Sequence, residues 1–298
     1  MNNLRARLAA PVLRGLERVL PAPVYCGALY PVAWARALIH RGIKGRPPIV
    51  WPAGLGGGPT GRALALPRLP VYLNRTFEFL PDRLAGSKWR GYCRFIGLDP
   101  VKRLLDAGRP VILGFAHLGP IGLLRNWLRA NGVPVAIFVG GEAHTRQIMK
   151  RRKDRWALFP DVALSFYQDQ LAEAILHLKR GGVLAIALDS DNGRQIRVPV
   201  GGGWMCQLAT GPFRLARRHG AQLVPCAIYN ERPWHVAVEF GPPVGNDLLA
   251  AGDAQAAADL LSKLLPVLLA HRAEWTPQLA GRFSQTSALR AGAADDDP

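Results

Sequence analysis

The residue best placed for chemistry is His117. It directly follows the apolar run Val111–Ala116 and lies in the segment GFAHLGPIGLLRNW, where a strand ends and a helix begins. In sheets built of parallel strands, reactive groups collect at the carboxyl ends of the strands. An imidazole there can take the proton of a hydroxyl while that oxygen attacks a thioester carbonyl. The amino terminus of the following helix, together with the Gly119 backbone, favours the negative charge that such an attack develops. Position alone also admits a purely structural histidine. A base of this kind works best with a carboxylate that orients it. Asp189, Asp191 and Glu142 could each supply one from a neighbouring strand end. A carboxylate that merely caps the following loop is the structural alternative for Asp189.

Other groups are less specific. The basic run Lys150, Arg151, Arg152, Lys153 and Arg155 suits contacts to phosphates or to an anionic lipid face. Arg125 and Arg129, four apart on one helix, form either a second anionic contact or an ordinary wet surface. Gly201-Gly202-Gly203 lets the backbone approach a ligand or a neighbouring strand closely. Leu118, Trp204, Met205 and Phe213 are suitable for lining an apolar groove or for packing a core. The remaining six histidines, His40, His144, His177, His219, His235 and His271, lack metal-ligand spacing. The four cysteines, Cys26, Cys93, Cys206 and Cys226, form no CxxC pair, so they read as buried free thiols in a reducing compartment.

The elements that must position these residues follow from apolar periodicity. Val111–Ala116, Val133–Val139, Val162–Phe166, Val183–Leu188, Leu223–Tyr229 and His235–Phe240 read as strands. Helical spacing runs through Ile121–Leu128, Glu142–Trp156, Leu171–Leu178, Cys206–His219 and about Ala254–Trp275. The alternation predicts an α/β fold with a largely parallel central sheet covered by helices on both faces. Residues 69–106 read as amphipathic helix. The stretch PAGLGGGPTG lacks the Lys-Ser/Thr of a phosphate loop and reads as linker. The expected organisation is therefore a basic and apolar segment over 1–50, a Pro/Gly linker over 51–68, the α/β domain over 69–285 and a frayed tail over 286–298.

A formal net charge of +17 implies attraction to a polyanion. Nucleic acid is disfavoured, because no zinc, helix-turn-helix or aromatic-basic sheet signature accompanies the charge. Val19–Ala35 is apolar but is interrupted by Pro21, Pro23 and Pro31 and is short for a bilayer span of about 20 residues. Its basic flanks and Tyr25, Tyr30 and Trp34 suit a segment lying in the headgroup region of an anionic membrane.

Four stretches, in order, resemble the bacterial lipid A biosynthesis (lauroyl/myristoyl) acyltransferases, within the glycerolipid acyltransferase superfamily. AHLGPIG is similar to that family's histidine box, and GGVLAIALDSD to its strand ending in Asp, with Asp189 at the matching position. VPVGGGWMCQLATGPFRLARRHGAQLVPCAI resembles its Phe-Gly, Thr-Gly-Pro and Val-Pro run through Gly202, Thr210, Gly211, Pro212 and Pro225. HRAEWTPQLAGRF carries its terminal pattern through Trp275, Arg282 and Phe283. The superfamily hallmark places Asp or Glu five positions after the histidine, where this chain has Gly122.

The resemblance implies a glycerolipid acyltransferase-like domain with His117 as base, oriented by Asp189 in place of the missing acid. It implies Arg152 and Arg151 as contacts to the phosphates of donor or acceptor, and Gly119, Gly202, Thr210 and Gly211 as substrate-binding positions. The expected reaction moves a fatty acyl chain from an acyl-carrier protein or acyl-CoA thioester to a hydroxyl of a lipid or glycolipid, with no metal or cofactor. The expected location is the cytoplasmic face of a bacterial inner membrane. The alternative is a catalytically impaired member that binds lipid or assists a neighbouring enzyme.

Overall fold

The computed structural model describes residues 91–139, 165–232 and 235–286, with further positions scattered between 15 and 35. Strands β1 (Cys93–Ile96), β2 (Val111–Phe115), β3 (Val135–Val139), β4 (Ser165–Tyr167) and β5 (Val183–Ala187) join two later ones, β8 (Gln222–Arg232) and β9 (His235–Phe240). They form a seven-stranded sheet in the order β1-β9-β8-β2-β5-β3-β4. β8, β2, β5, β3 and β4 run parallel, and β9 returns antiparallel to β8. The expected α/β class with a largely parallel sheet is what is found.

The central strands are apolar without interruption because both of their faces are covered. VILGF of β2 is buried along its whole length. Alternate residues serve opposite faces, as the pleat requires. Ile112, Leu184, Leu223 and Ala227 join a core with α3 (Leu171–Lys179), α4 (Gly211–His219) and α6 (Asp253–Ala270). Val111, Leu113, Phe115, Ala185 and Val224 join a second core with α1 (Leu98–Asp106), α2 (Leu124–Ala130) and the buried ring of Tyr25. The short α5 (Asn246–Ala251) leads into α6. Gly114 admits α6 closely, for a Cβ there would meet Leu260 Cδ1 at 3.1 Å.

Beside the main sheet lies a small antiparallel one, β10-β7-β6, made of β6 (Gln195–Gly201), β7 (Trp204–Ala209) and β10 (Phe283–Gln285). The last turn of helix, α7 (Pro277–Ala280), precedes β10.

Two expectations are corrected. Cys206–His219 is not one helix: β7 runs to Ala209, and α4 starts only at Gly211. Gly201, Gly202 and Gly203 hold φ of 87, 58 and 73. That left-handed run suits glycine and reverses the chain into a hairpin, committing Trp204–Ala209 to pairing with β6. Likewise, 69–106 is not helical throughout, because Cys93–Ile96 is an edge strand parallel to β9. Gly97, at φ 72, ends that strand before α1 begins. Residues 69–90, the linker at 51–68 and the basic helix expected at Glu142–Trp156 lie outside the described residues. Among the described residues, no helix is long and apolar enough to cross a membrane.

Candidate active site

The site follows from strand register. β2 and β5 are parallel neighbours, with Phe115 opposite Ala187. Two residues past that pair, on the same side of each strand, stand His117 and Asp189. Adjacent strands are about 4.8 Å apart, so the two side chains come within hydrogen-bonding range. His117 Nδ1 lies 2.8 Å from Asp189 Oδ1, and the His117 main-chain N–H donates to Asp189 Oδ2 at 3.1 Å. One carboxylate thus grips both the ring and the backbone of the same histidine.

An ionised carboxylate only accepts hydrogen bonds. Facing it, Nδ1 carries the proton and Nε2 keeps its lone pair. Asp189 has no exposed side-chain surface, whereas the His117 side chain is 30% exposed. The imidazole is therefore the member of the pair that a substrate can reach. The edge of Phe115, 5.8 Å from the His117 ring centre to centre, flanks it. The negative charge at Asp189 is felt nearby: burial first, and the Asp189 carboxylate second, push the Cys206 thiol well above its ordinary value.

The loop carrying His117 is held against β8. Gly119 has φ 59, and a Cβ there would stand 2.3 Å from the Ile228 main-chain oxygen. Gly122, at the position of the superfamily acid, lies in the 3-10 turn Ile121–Leu123 and offers no side chain. The carboxylate beside the imidazole comes instead from the next strand of the sheet.

A family model described as bacterial lipid A biosynthesis acyltransferase matches residues 75–275. The chain belongs to that family. A lipid A biosynthesis acyltransferase transfers acyl chains to lipid, and the His117–Asp189 pair is a hydrogen-bonded imidazole and carboxylate. Nothing among the curated proteins matches the chain.

The other expected site residues of this acyltransferase are distributed unevenly. Thr210 is close to the pair's acid loop: Ala209 N donates to Leu188 O at 2.7 Å, and Thr210 Oγ1 donates to Arg194 O at 3.1 Å. Its hydroxyl is thereby engaged in closing that loop. Gly211 follows it, with nothing within 4 Å of the place a Cβ would occupy. Gly202 is at the opposite end of the β6–β7 hairpin, roughly 20 Å along the strands from Ala209 at about 3.3 Å per residue. The structure does not bring Gly202 to the imidazole. Arg151 and Arg152 lie outside the described residues.

Arg125 and Arg129 do not form an exposed pair on the acyltransferase. Arg125 is buried within α2, while Arg129 is exposed. Leu118 and Phe213 are fully enclosed in the core rather than lining an open groove. Trp204 and Met205 open β7 directly after the Gly202 turn.

The segment that follows α6 carries a recognisable motif, but its contacts with the pair were not legible in the sequence. Trp275 pairs with Leu118 in an isolated antiparallel bridge, and Thr276 N donates to His117 O at 3.4 Å. Gln278 Nε2 and Arg282 Nε both donate to the Asp189 main-chain oxygen, at 2.9 and 3.1 Å. Arg282 was visible as part of a motif, but its partner was not. Gln278 carries no sequence signal for such a contact.

Proposed function

We propose that the protein moves a fatty acyl chain from the thioester of an acyl-carrier protein or coenzyme A to a hydroxyl of a lipid or glycolipid acceptor. The observation that carries this reading is the Asp189 carboxylate on His117 Nδ1, which leaves Nε2 free to act as base. The acceptor hydroxyl gives its proton to Nε2 as its oxygen bonds to the thioester carbonyl carbon. The tetrahedral intermediate then collapses, the C–S bond breaks, and the imidazolium returns the proton to the departing thiolate. Asp189 stays ionised throughout and stabilises the imidazolium. A paired, partly exposed imidazole supports this reading over that of an accessory lipid binder, for which such a pair would have no chemical use.

Arg151 and Arg152 are assigned to the phosphates of donor or acceptor, because arginine forks match phosphate oxygens. The reaction is assigned to the cytoplasmic face of a bacterial inner membrane. In support, Val19, Val24, Tyr30 and Trp34 are exposed on the amino-terminal segment, while Tyr25 between them is buried in the core. The net charge of +17 suits an anionic surface.

The test is transfer by purified protein from acyl-carrier and acyl-CoA donors to a panel of lipid A precursors and lysophospholipids. His117→Ala should lower turnover by about 10²- to 10⁴-fold. Equal turnover in wild type and His117→Ala would remove the proposal.

A further inference from the structure

The chain that follows α6 holds both halves of the pair. On one side, Trp275 bridges Leu118 and Thr276 N reaches His117 O. Just before them, the buried Glu274 accepts from Asn230 N at 2.9 Å and from Asn230 Nδ2 at 2.6 Å, pinning the segment to the end of β8. On the other side, Gln278 and Arg282 converge on the main-chain oxygen of Asp189. The Arg282 guanidinium also ion-pairs with Asp191, two residues on. Asp189 is thus gripped from two directions: its carboxylate by His117, and its carbonyl by this strap.

We propose that Gln278 and Arg282 are positioning residues for acyl transfer, fixing the Asp189 peptide so that its carboxylate keeps the His117 ring in the Nδ1–H form. This rests on the reading of His117 as base. A carbonyl oxygen has two lone pairs, and here two separate side chains fill them. Removing either donor leaves a polar atom in a largely enclosed place short of a partner, and the peptide will turn to find one. The side chain of Asp189 turns with it. The carboxylate makes two directional bonds to one histidine, so a small rotation breaks at least one, and a displacement of about 1 Å at a reacting group can cost roughly 10²-fold in rate. Both residues lie beyond position 275, where the family match ends.

The experiment uses the full chain with Arg282→Ala, Arg282→Lys and Gln278→Leu. Acyl transfer is resolved into kcat and KM, and histidine-selective nitrogen labelling reports the His117 ring by nuclear magnetic resonance. At a pH where the ring is neutral, the wild type should show it protonated at Nδ1. In folded Arg282→Ala, kcat should fall by about 10- to 100-fold with KM within about threefold, and the ring should become a mixture of tautomers. Arg282→Lys, which keeps a donor, should recover part of both. Gln278→Leu should shift the ring in the same sense with a smaller loss.

A folded Arg282→Ala with an unchanged ring spectrum overturns the proposal, as does a kcat loss that only tracks the fraction unfolded. Should Arg282→Ala not fold, Gln278→Leu is judged by the same two readings. If the wild type transfers no acyl chain at all, the functional reading fails, while the ring spectrum still decides whether the strap sets the tautomer.

Discussion

Gly119 stands so close to Ile228 that a Cβ on the glycine would lie 2.3 Å from the Ile228 oxygen and 2.9 Å from the Tyr229 Cα. Both obstacles are backbone in the middle of the sheet, so neither can move aside as a side-chain tip could. The left-handed φ of 59 adds a second penalty for any other residue. Gly119→Ala is expected to cost at least about 2 kcal/mol, from about 1–2 for the backbone region and more for the overlap. It should also lower turnover, since His117 is only two residues away. Urea unfolding alongside initial rates will check both.

Asp189→Asn preserves volume but replaces a two-fold acceptor with a group having one acceptor and one donor. The His117 N–H and Nδ1–H can no longer both be matched, and the ring is released to place its proton on Nε2. A loss of about a thousandfold or more in kcat is expected, as for the loss of an orienting carboxylate in related sites, with KM little changed. Steady-state kinetics on protein of verified folded content is the measurement.

His271 should make the fold sensitive to mild acid. Its ring stacks on Tyr229 with centroids 3.8 Å apart. Burial holds its pKa below the ordinary 6.5, against the opposing pull of Glu239 and Glu231. His219 is shifted in the same direction, by burial and then by Lys179 and Arg218. A depressed histidine leaves stability intact above 6.5. As pH falls through that value, the unfolded chain takes up a proton that the folded one refuses, and stability drops until the folded value is passed. The thermal midpoint should therefore fall between about pH 7 and 5, and His271→Phe, keeping a ring against Tyr229, should flatten part of that slope.

The Cys93, Cys206 and Cys226 thiols should be inert while the protein is folded. Burial pushes Cys93 up to about 12 and drives Cys206 and Cys226 higher still. Since the thiolate is the reactive form, iodoacetamide at pH 8 should leave the peptides containing these three residues unmodified. Labelling should follow only on unfolding in denaturant. Mass mapping of the digested protein will decide, and rapid native labelling of Cys226 would contradict its burial.

The strands of the main sheet were readable because complete burial writes itself as unbroken apolar runs, as in Val111–Phe115 and Val183–Ala187. The reading of Cys206–His219 as one helix fails over Cys206–Ala209 for the opposite reason, while Gly211–His219 is helical as expected. Cys206 and Leu208 satisfy a strand's alternation, yet Cys206 also falls on one helical stripe with Phe213 and Ala216. The local pattern is degenerate there, and pairing with β6 and β10 resolved it. β1 is a four-residue edge strand, too short for periodicity to register, and exists through β9.

The sequence by itself determined that His117 ends a buried strand, that Gly122 stands five residues later, and that Asp189 ends another such strand. These are local properties, set by the burial of consecutive side chains. Only the tertiary structure decided that those two strands are neighbours, in register, across 72 residues of chain. It alone also decided that Gln278 and Arg282 close over Asp189 from behind. Strand order and the path of a returning segment depend on packing between distant elements, to which no single stretch of residues is sensitive.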